Sequence, residues 1–563
     1  MTKLKKILGI AVLIIIGVVN ISIYWNIHLY NKTKKTGNYE EKIKILERSN
    51  RFFPFNNMVY SELGRSYLDL AFLDFMNVEH REYNLEKSIK SFVRSIKLNP
   101  GYYQSHFYFA QALSYQQYFF PIDVNFYDEY KKAARLTTFD TQAYFEVGRF
   151  LFSRWNELSE EDKSYTLGLL KNLRANGENL QTIMQIWAIN GGDFSVMKDI
   201  LPEESEAYRV FSRFIADRRL SINERHKNMA QAEYLDYINA KNTLTDGERQ
   251  VQLQNTEQAI NLFLRSIKTI ENVRFYQNLT GKTLIDISEY FDYKRTLYLN
   301  LTERLIIKYG DLEEAEPYLR KYLDMQTSAA EIGDLEILLK DKNLLRAEPE
   351  TYINDLFPYY VKVLIDYKLN RYRDIIEGGK NLKDRFNSPP ESIRKDLARV
   401  CQMIGDSYQK LDFLYDAEEF FNLAITLDPT YLDPLKGMSQ NFMKLNKPDL
   451  ADGIERKIKR LLTPEVLNFE NLTIQRGQSF IQPLFLREKK IGIMLIFDDF
   501  LPGQSPLLTV EYNDQIIWED YLETPSLSLT VNSEEGRNGL KIFPTLRNVS
   551  LKKIVYSSDN EVI

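Results

Sequence analysis

The chain of 563 residues has a single cysteine, Cys401, and four histidines. One thiol excludes an intrachain disulfide and every CxxC-type zinc or redox site. His28, His80, His106 and His226 stand far apart, and none falls in an HExxH or comparable metal-ligand spacing. No GxSxG, P-loop or GxGxxG sequence occurs. An excess of charge is lacking as well. The 73 Lys and Arg against 78 Asp and Glu leave a net charge of −5, mixed along the sequence, with no basic block beyond short lysine clusters. Nucleic acid needs a positive footprint, so it is excluded as a partner. Glycine and proline are modest at 24 and 18, while Tyr and Phe reach 36 and 33, which favours helices with bulky knobs over a loop-rich chain. The expectation is a binding protein without catalytic residues, metal or cofactor.

The length is too great for one hydrophobic core and implies several domains or one extended array. From Ile7 to Tyr24 no charged residue occurs, and Asn20 and Ser22 are the polar intrusions. Eighteen apolar residues suffice to cross a bilayer as a helix, and Trp25 and Tyr30 suit its interface. The run Asn-Ile-Ser-Ile-Tyr-Trp after Val19 is a poor cleavage site, so an uncleaved anchor is expected rather than a signal peptide or a buried core helix. Lysines flank the segment on both sides and leave the orientation open on charge alone. A short basic N-terminus usually stays inside, which favours a single-pass protein with its bulk outside the cytoplasm, on the periplasmic side.

Two ten-residue stretches echo each other: SFVRSIKLNP, ending at Pro100, and FFNLAITLDP, ending at Pro429. Folding the sequence on them gives a unit from Ala398 to Tyr431. Cys401, Ile404, Gly405 and Tyr408 lie on its first helix, and Ala417, Phe421, Ala424 and Pro429 on its second. Leu435, Met438, Ser439 and Phe442, then Ala451 and Ile458, continue in register, with Glu455 as a departure. Near the N-terminus the register recurs in Leu46, Ser49 and Pro54, then Tyr60, Leu63, Gly64 and Tyr67. It continues in Ser88, Phe92 and Ser95, in Tyr130 and Ala133, and in Tyr144, Val147, Gly148 and Leu151. Ala259, Phe263 and Ser266, and Ala315, Leu319 and Tyr322, mark second helices mid-chain. Small residues let two helices approach, bulky ones fill the space, and proline ends each unit. This pattern resembles the tetratricopeptide repeat family, which implies a mainly α fold, a helical solenoid whose units bury their apolar faces on neighbours.

Between the arrays, Ser159-Glu-Glu-Asp162 reads as a helix start, the glycines around Gly191 as a helix end, and Thr245-Asp-Gly-Glu248 as a further cap. After Pro464 the apolar period falls to 2. Eight short runs separated by turn residues, from LTIQ to VSLKKIVY, predict a C-terminal all-β antiparallel sandwich. Its strand rhythm resembles the galactose-binding-type jelly roll of accessory carbohydrate-binding domains. The expected division is residues 1–35 anchor, 36–155 N-terminal array, 156–395 irregular helical solenoid, 396–464 C-terminal repeat pair and 465–563 sandwich.

The tetratricopeptide resemblance implies a groove lined by positions 2, 5, 9 and 12 of each first helix. These are Met58, Ser61, Arg65 and Leu68; Gln104, Phe107, Gln111 and Ser114; Gln142, Phe145, Arg149 and Phe152; and Arg399, Gln402, Asp406 and Gln409. Ser61, Arg65, Phe107, Gln111, Phe145 and Arg149 are the candidate contacts for a protein partner. Trp518 and Tyr521 are candidates for stacking on a sugar, against a structural role on the strand. Asp498-Asp499 is weighed as a calcium edge against a solvated loop. The implied function is a membrane-anchored scaffold of an envelope or polysaccharide assembly machine, with protein, membrane and polysaccharide as partner classes. A cytoplasm-facing adaptor and a carbohydrate-binding or carbohydrate-active accessory are the alternatives.

Overall fold

The computed structural model describes residues 2–74, 76–120, 125–137, 141–171, 178–325, 328–348, 356–380, 382–386, 388–462, 466–486, 490–498, 505–532, 536–545 and 548–557. They belong to two compact units, Met1–Pro202 and Glu203–Ile563.

The first unit is helical: α1 (Thr2–Thr33), α2 (Tyr39–Phe52), α3 (Asn57–Leu73), α4 (Val78–Leu98), α5 (Tyr103–Phe119), α6 (Tyr127–Leu136), α7 (Thr141–Ser153), α8 (Glu160–Leu170), α9 (Glu178–Ile189) and α10 (Phe194–Ile200). Asparagines start α2, α3 and α4, where the Asn38, Asn56 and Asn77 side chains accept from backbone N–H groups of the first turn. Ser159 caps α8 in the same way, and Gly191 ends α9 at φ +100°, both as the sequence implies. The apolar stretch of α1 is exposed, with Leu13 at 69% and Ile15 at 61%, and Ile10–Thr33 is long and apolar enough to cross a membrane. The polar intrusions are satisfied within the helix: Asn20 donates to the Ile16 carbonyl and Ser22 to that of Val18, both at 2.9 Å.

The helix does not stop where the apolar run stops. Asn26, Leu29 and Thr33 are buried where the end of α1 packs on α2. Asn26 Nδ2 donates to the carbonyls of Ser49 (3.1 Å) and Phe53 (3.2 Å), Ser49 Oγ donates to the Asn26 carbonyl at 3.1 Å, and Asn56 Nδ2 donates to Asn26 Oδ1 at 2.6 Å. The spacing of 26, 29 and 33 matches that of the bulky positions of a first helix, so the end of α1 partners α2.

The second unit opens with α11 (Ser205–Asp217), α12 (Ile222–Gln252), α13 (Thr256–Ile270), α14 (Ile287–Tyr309), α15 (Glu316–Leu323) and α16 (Ala329–Asp341). It continues with α17 (Leu356–Lys368), α18 (Tyr372–Gly379), α19 (Leu382–Arg385), α20 (Glu391–Lys410), α21 (Leu414–Leu427), α22 (Leu432–Lys444) and α23 (Pro448–Leu462). One continuous core runs from Tyr237 to Ala424. Phe421 of α21 is fully buried between Gly405 of α20 and Gly437 of α22. A Cβ on either glycine would lie 2.8 or 2.6 Å from the ring. Thr245–Glu248 is not a cap, which corrects the sequence reading. It lies within α12, where the Thr245 hydroxyl donates back to the Lys241 carbonyl and Gly247 receives the Phe263 ring of α13. Gly247 precedes Phe263 by sixteen residues, as Gly405 precedes Phe421, so the unit is a regular one.

All eight expected strands form: β1 (Val466–Ile474), β2 (Phe480–Leu486), β3 (Lys490–Phe497), β4 (Leu507–Tyr512), β5 (Gln515–Tyr521), β6 (Ser526–Asn532), β7 (Gly536–Pro544) and β8 (Val549–Ser557). They make two antiparallel sheets, β1-β8-β3-β6 and β2-β7-β4-β5, packed face to face over Ile493, Leu495, Val510, Leu540 and Ile554. The tight turn at Asn513 and Asp514, both at positive φ, joins β4 to β5, as an Asn-Asp pair is suited to do.

The sandwich is docked on the first helices of its own unit through edge strand β5. Ile516 N donates to the Arg274 carbonyl at 2.7 Å, extending the sheet onto the loop before a 3-10 turn at Tyr276–Leu279. Phe275, at φ +60°, holds that loop in the left-handed region. Below it, Arg225 of α12 makes a two-pronged pair with Glu519, Nε and Nη2 each 2.7 Å from a carboxylate oxygen. Thr509 Oγ1 (2.7 Å) and Tyr276 Oη (3.0 Å) donate to the same group, and His226 Nε2 lies 3.4 Å from it. Burial alone would raise the Glu519 pKa. The approach of His226 and the Arg225 charge outweigh burial and hold it at about 2.

Candidate functional site

Two faces gather tyrosine, arginine and carboxylate side chains. The first lies on α3 and α5. The Arg65 guanidinium sits over the Tyr108 ring, 5.0 Å from its centroid, one turn from Asp69 and Glu62. Lys42 of α2 pairs with Glu62. Burial raises the Asp69 pKa against the charges of Arg65 and Lys42, so the carboxyl is held in a partly desolvated setting. Phe107 packs edge-on to Tyr108 (5.3 Å) and to Tyr130 of α6 (5.6 Å).

The second face lies on α17, α20 and α22. Tyr367 Oη donates to Asp406 Oδ2 at 2.8 Å, and Tyr431, at the start of α22, donates to Gln402 Oε1 at 3.3 Å. Arg399 Nη1 stands 3.4 Å from Tyr360 Oη and 3.6 Å from Asp324. Burial raises Asp406 to about 6, against the hydrogen bond from Tyr367. Arg320 anchors this face from below through two bonds to Asp396, 3.0 and 2.9 Å, and its guanidinium covers the Phe357 ring at 4.3 Å.

The family model of the tetratricopeptide repeat matches residues 398–431, the α20–α21 pair that carries Arg399, Gln402 and Asp406. Residues 398–431 form a tetratricopeptide repeat. Three solved structures show distant likeness. Naa15/Naa10 bound to HypK is 13% identical, covering 78% of this chain and 68% of that one at a TM-score of 0.23. The tetratricopeptide domain of P58(IPK) is 12% identical, covering 70% and 92% at 0.18. Yeast Tom70 is 13% identical, covering 77% and 92% at 0.18. These likenesses are too remote in shape to say anything of this chain's partners. No curated protein matches the sequence.

The tetratricopeptide register does not leave every expected groove position open. Leu68, Ser114 and Phe152, at position 12, are buried on all three N-terminal first helices. At position 5, Ser61 and Phe145 are each 5% exposed, while Phe107 is half-buried. Arg149 pairs with Glu146 one turn back (2.6 Å), and Gln111 is half-buried near the middle of α5. Arg65, Phe107 and Tyr108 therefore form one cluster, with Phe145 outside it. In the C-terminal repeat, Gln409 turns inward and donates to the Gly437 carbonyl at 2.9 Å. The side chain of Gln142 lies outside the described residues.

Sequence reasoning missed Tyr108, Asp69, Tyr360, Tyr367 and Tyr431. None stands at a groove position of its own helix. Each reaches the face from the flank, and the high tyrosine count is the one trace in the sequence. On the sandwich, Trp518 is half-buried against the core. Tyr521 donates its hydroxyl to the Ala216 carbonyl of α11 under the Arg219 guanidinium. Both rings thus have structural roles in this unit. Asp498 pairs with Lys552 at 2.8 Å, Asp499 lies outside the described residues, and no metal-binding cluster occurs among the described residues. His106 is a packing residue bonded to Glu129 (2.7 Å) and the Pro100 carbonyl (2.9 Å), and the fully buried Cys401 thiol is pushed upward by burial.

Proposed function

We propose that this chain is a membrane-held scaffold whose tetratricopeptide faces bind protein partners, with its bulk on the outer side of the cytoplasmic membrane, in an envelope or polysaccharide assembly machine. The observation that carries the binding role is the pair of tyrosine–arginine–carboxylate faces, Arg65–Tyr108 and Arg399–Tyr360–Asp406. Tyrosine and arginine supply most of the energy of protein interfaces when a partner desolvates them. The anchoring role follows from the exposed apolar length of α1. The winding β1-β8-β3-β6 over β2-β7-β4-β5 favours reading the sandwich as a jelly roll, here one that braces helices.

Native complexes from detergent-solubilised membranes test the binding role. Arg65→Glu with Tyr108→Ala in one variant, and Arg399→Glu in another, is expected to remove specific partners while leaving far-UV circular dichroism unchanged. Equal recovery of every co-purifying protein from both variants overturns the scaffold reading. Topology is tested with Ile481→Cys, since Ile481 is 56% exposed on β2. An impermeant maleimide is expected to label intact spheroplasts, and labelling only after lysis places the bulk in the cytoplasm.

A further inference from the structure

The turn between α2 and α3 carries an aromatic tip that the described residues of its unit leave largely exposed. The turn between α2 and α3 reads Arg51-Phe52-Phe53-Pro54-Phe55-Asn56, and α3 begins with Asn57 and Met58. Phe52 is 43% exposed, Phe55 65% and Met58 42%. Beside them on α1, Tyr24 is 67% and Trp25 46% exposed. The rings form two adjacent pairs: Trp25 stacks on Phe52 with centroids 6.4 Å apart, and Phe53 meets Phe55 at 5.6 Å. Soluble surfaces rarely leave several large aromatics in one contiguous patch without a partner.

The depth of this tip along α1 is fixed. The helix runs through its apolar stretch, and α2 returns beside it in the opposite direction. The hydrogen bonds from Asn26 to the carbonyls of Ser49 and Phe53 set the end of α2 level with residue 26. The run free of charged residues continues to Asn31, but its aliphatic part gives way here to Tyr24, Trp25, Asn26 and His28, and Asn26 is already buried against the protein. From Ile7 to Trp25 a helix rises about 28 Å, which matches the roughly 30 Å hydrocarbon thickness of a bilayer. If α1 crosses the membrane, the Phe52–Met58 turn therefore points back at the bilayer and meets it where the headgroups begin. Aromatic rings with a polar rim are the side chains that this layer favours. Arg51 and Arg48, both exposed at the same end of α2, suit its phosphates.

We propose that the turn Phe52–Met58, together with Tyr24 and Trp25, is bedded in the headgroup layer of the membrane that α1 crosses. The occupant of this patch is lipid, and the first repeat rests on the bilayer. The proposal depends on the anchoring role of α1, and the test separates the two. Cys401 is fully buried, so a thiol-reactive fluorophore is directed to introduced cysteines. Full-length Leu13→Cys, Phe55→Cys, Met58→Cys and Tyr118→Cys proteins are labelled and placed in nanodiscs of phosphatidylcholine and phosphatidylglycerol. Tyr118, 76% exposed on α5, is the aqueous control. Quenching by aqueous iodide is compared with quenching by lipids carrying a nitroxide near the headgroup or deep in the acyl chain.

The expected result is several-fold stronger shallow-nitroxide quenching at residues 55 and 58 than at 118, several-fold weaker iodide quenching there, and deep-nitroxide quenching at 13. If residue 13 is quenched by the deep nitroxide while residue 55 behaves like 118, the anchor stands and the bedded tip is refuted. If residue 13 escapes the deep nitroxide, the anchor fails and the proposal falls with it. If residue 55 is shielded from iodide without nitroxide quenching, protein covers the tip, a second copy of this chain included, and the lipid assignment is wrong.

Discussion

Replacing Gly405 by alanine puts one methyl group where the structure has no room for it. The new Cβ would stand 2.8 Å from both Cδ1 and Cε1 of Phe421, against about 3.5–4.0 Å for a relaxed carbon pair. The ring cannot retreat, because the Cα side of Gly437 closes the other face, with a Cβ there reaching only 2.6 Å from Cζ. Either α20 and α21 move apart or Phe421 leaves its rotamer, and overpacking of this kind costs about 1–3 kcal/mol. The loss belongs near the top of that range, since both escape directions are shut. Phe421→Leu frees the space, so the double variant should recover part of the loss and show a coupling of about 1 kcal/mol or more. Unfolding of so large a chain is not two-state, so the suitable assay is native-state hydrogen exchange of the α20, α21 and α22 amides. A Gly405→Ala protein with unchanged protection in these helices, or a double variant whose losses simply add, would refute the packing reasoning.

The same logic at Gly247, where a Cβ would meet Phe263, gives a loss of about 1–3 kcal/mol for Gly247→Ala. Gly333 on α16 has open space, so Gly333→Ala should gain about 0.5–1 kcal/mol, and hydrogen exchange distinguishes the two. Glu519→Gln leaves the buried Arg225 without its counter-charge, which costs about 3–5 kcal/mol, and limited proteolysis should then cut faster around residues 274–284. Stability of the second unit should vary with pH. Burial raises Glu233 to about 7, against backbone hydrogen bonds from Arg274 and Tyr276, and raises Asp406 to about 6. Both groups bind more protons folded than unfolded, so their contribution is full below the ordinary carboxylate range and is lost as pH rises through 6–7. Glu519 acts in the opposite sense, with stability present above pH 4.5 and lost as pH falls towards 2. A urea midpoint for this unit that rises steadily from pH 5 to 8 would contradict the assignment of Glu233 and Asp406.

The repeat register and all eight strands were legible in the sequence because each rests on local periodicity. Residues 417, 421 and 424 face one neighbour, and strands such as IGIMLIF declare themselves by β-branched runs between turns. The packing of the end of α1 on α2 was hidden, since Leu29 follows directly on the apolar stretch and Asn26 reads as its polar flank. Gly247 was misread because Thr-Asp-Gly-Glu carries cap chemistry, which the flanking helix overrides when Phe263 needs a seat. The Arg225–Glu519 pair joins residues 294 apart, and nothing in a strand reading QIIWEDY marks its glutamate as buried. For the two tyrosine–arginine–carboxylate faces, positions taken helix by helix name Arg65, Arg399 and Asp406. The tyrosines that complete each face come from neighbouring helices and depend on how the units stack.

A stack of helical pairs is ordinarily a spring, because each unit touches only its neighbours and its two ends are free to part. The docking of β5 on α11 and α12 removes that freedom from the second unit. The sandwich follows α23 in the chain yet is bolted to the helices that begin the run. The helices from 205 to 462 thus form a loop with a clasp rather than an open coil. In a closed loop a bend at one joint has to be matched at another. Strain at the joint beside Asp406 would load the clasp at Glu519, and releasing the clasp would let the joints between them relax together.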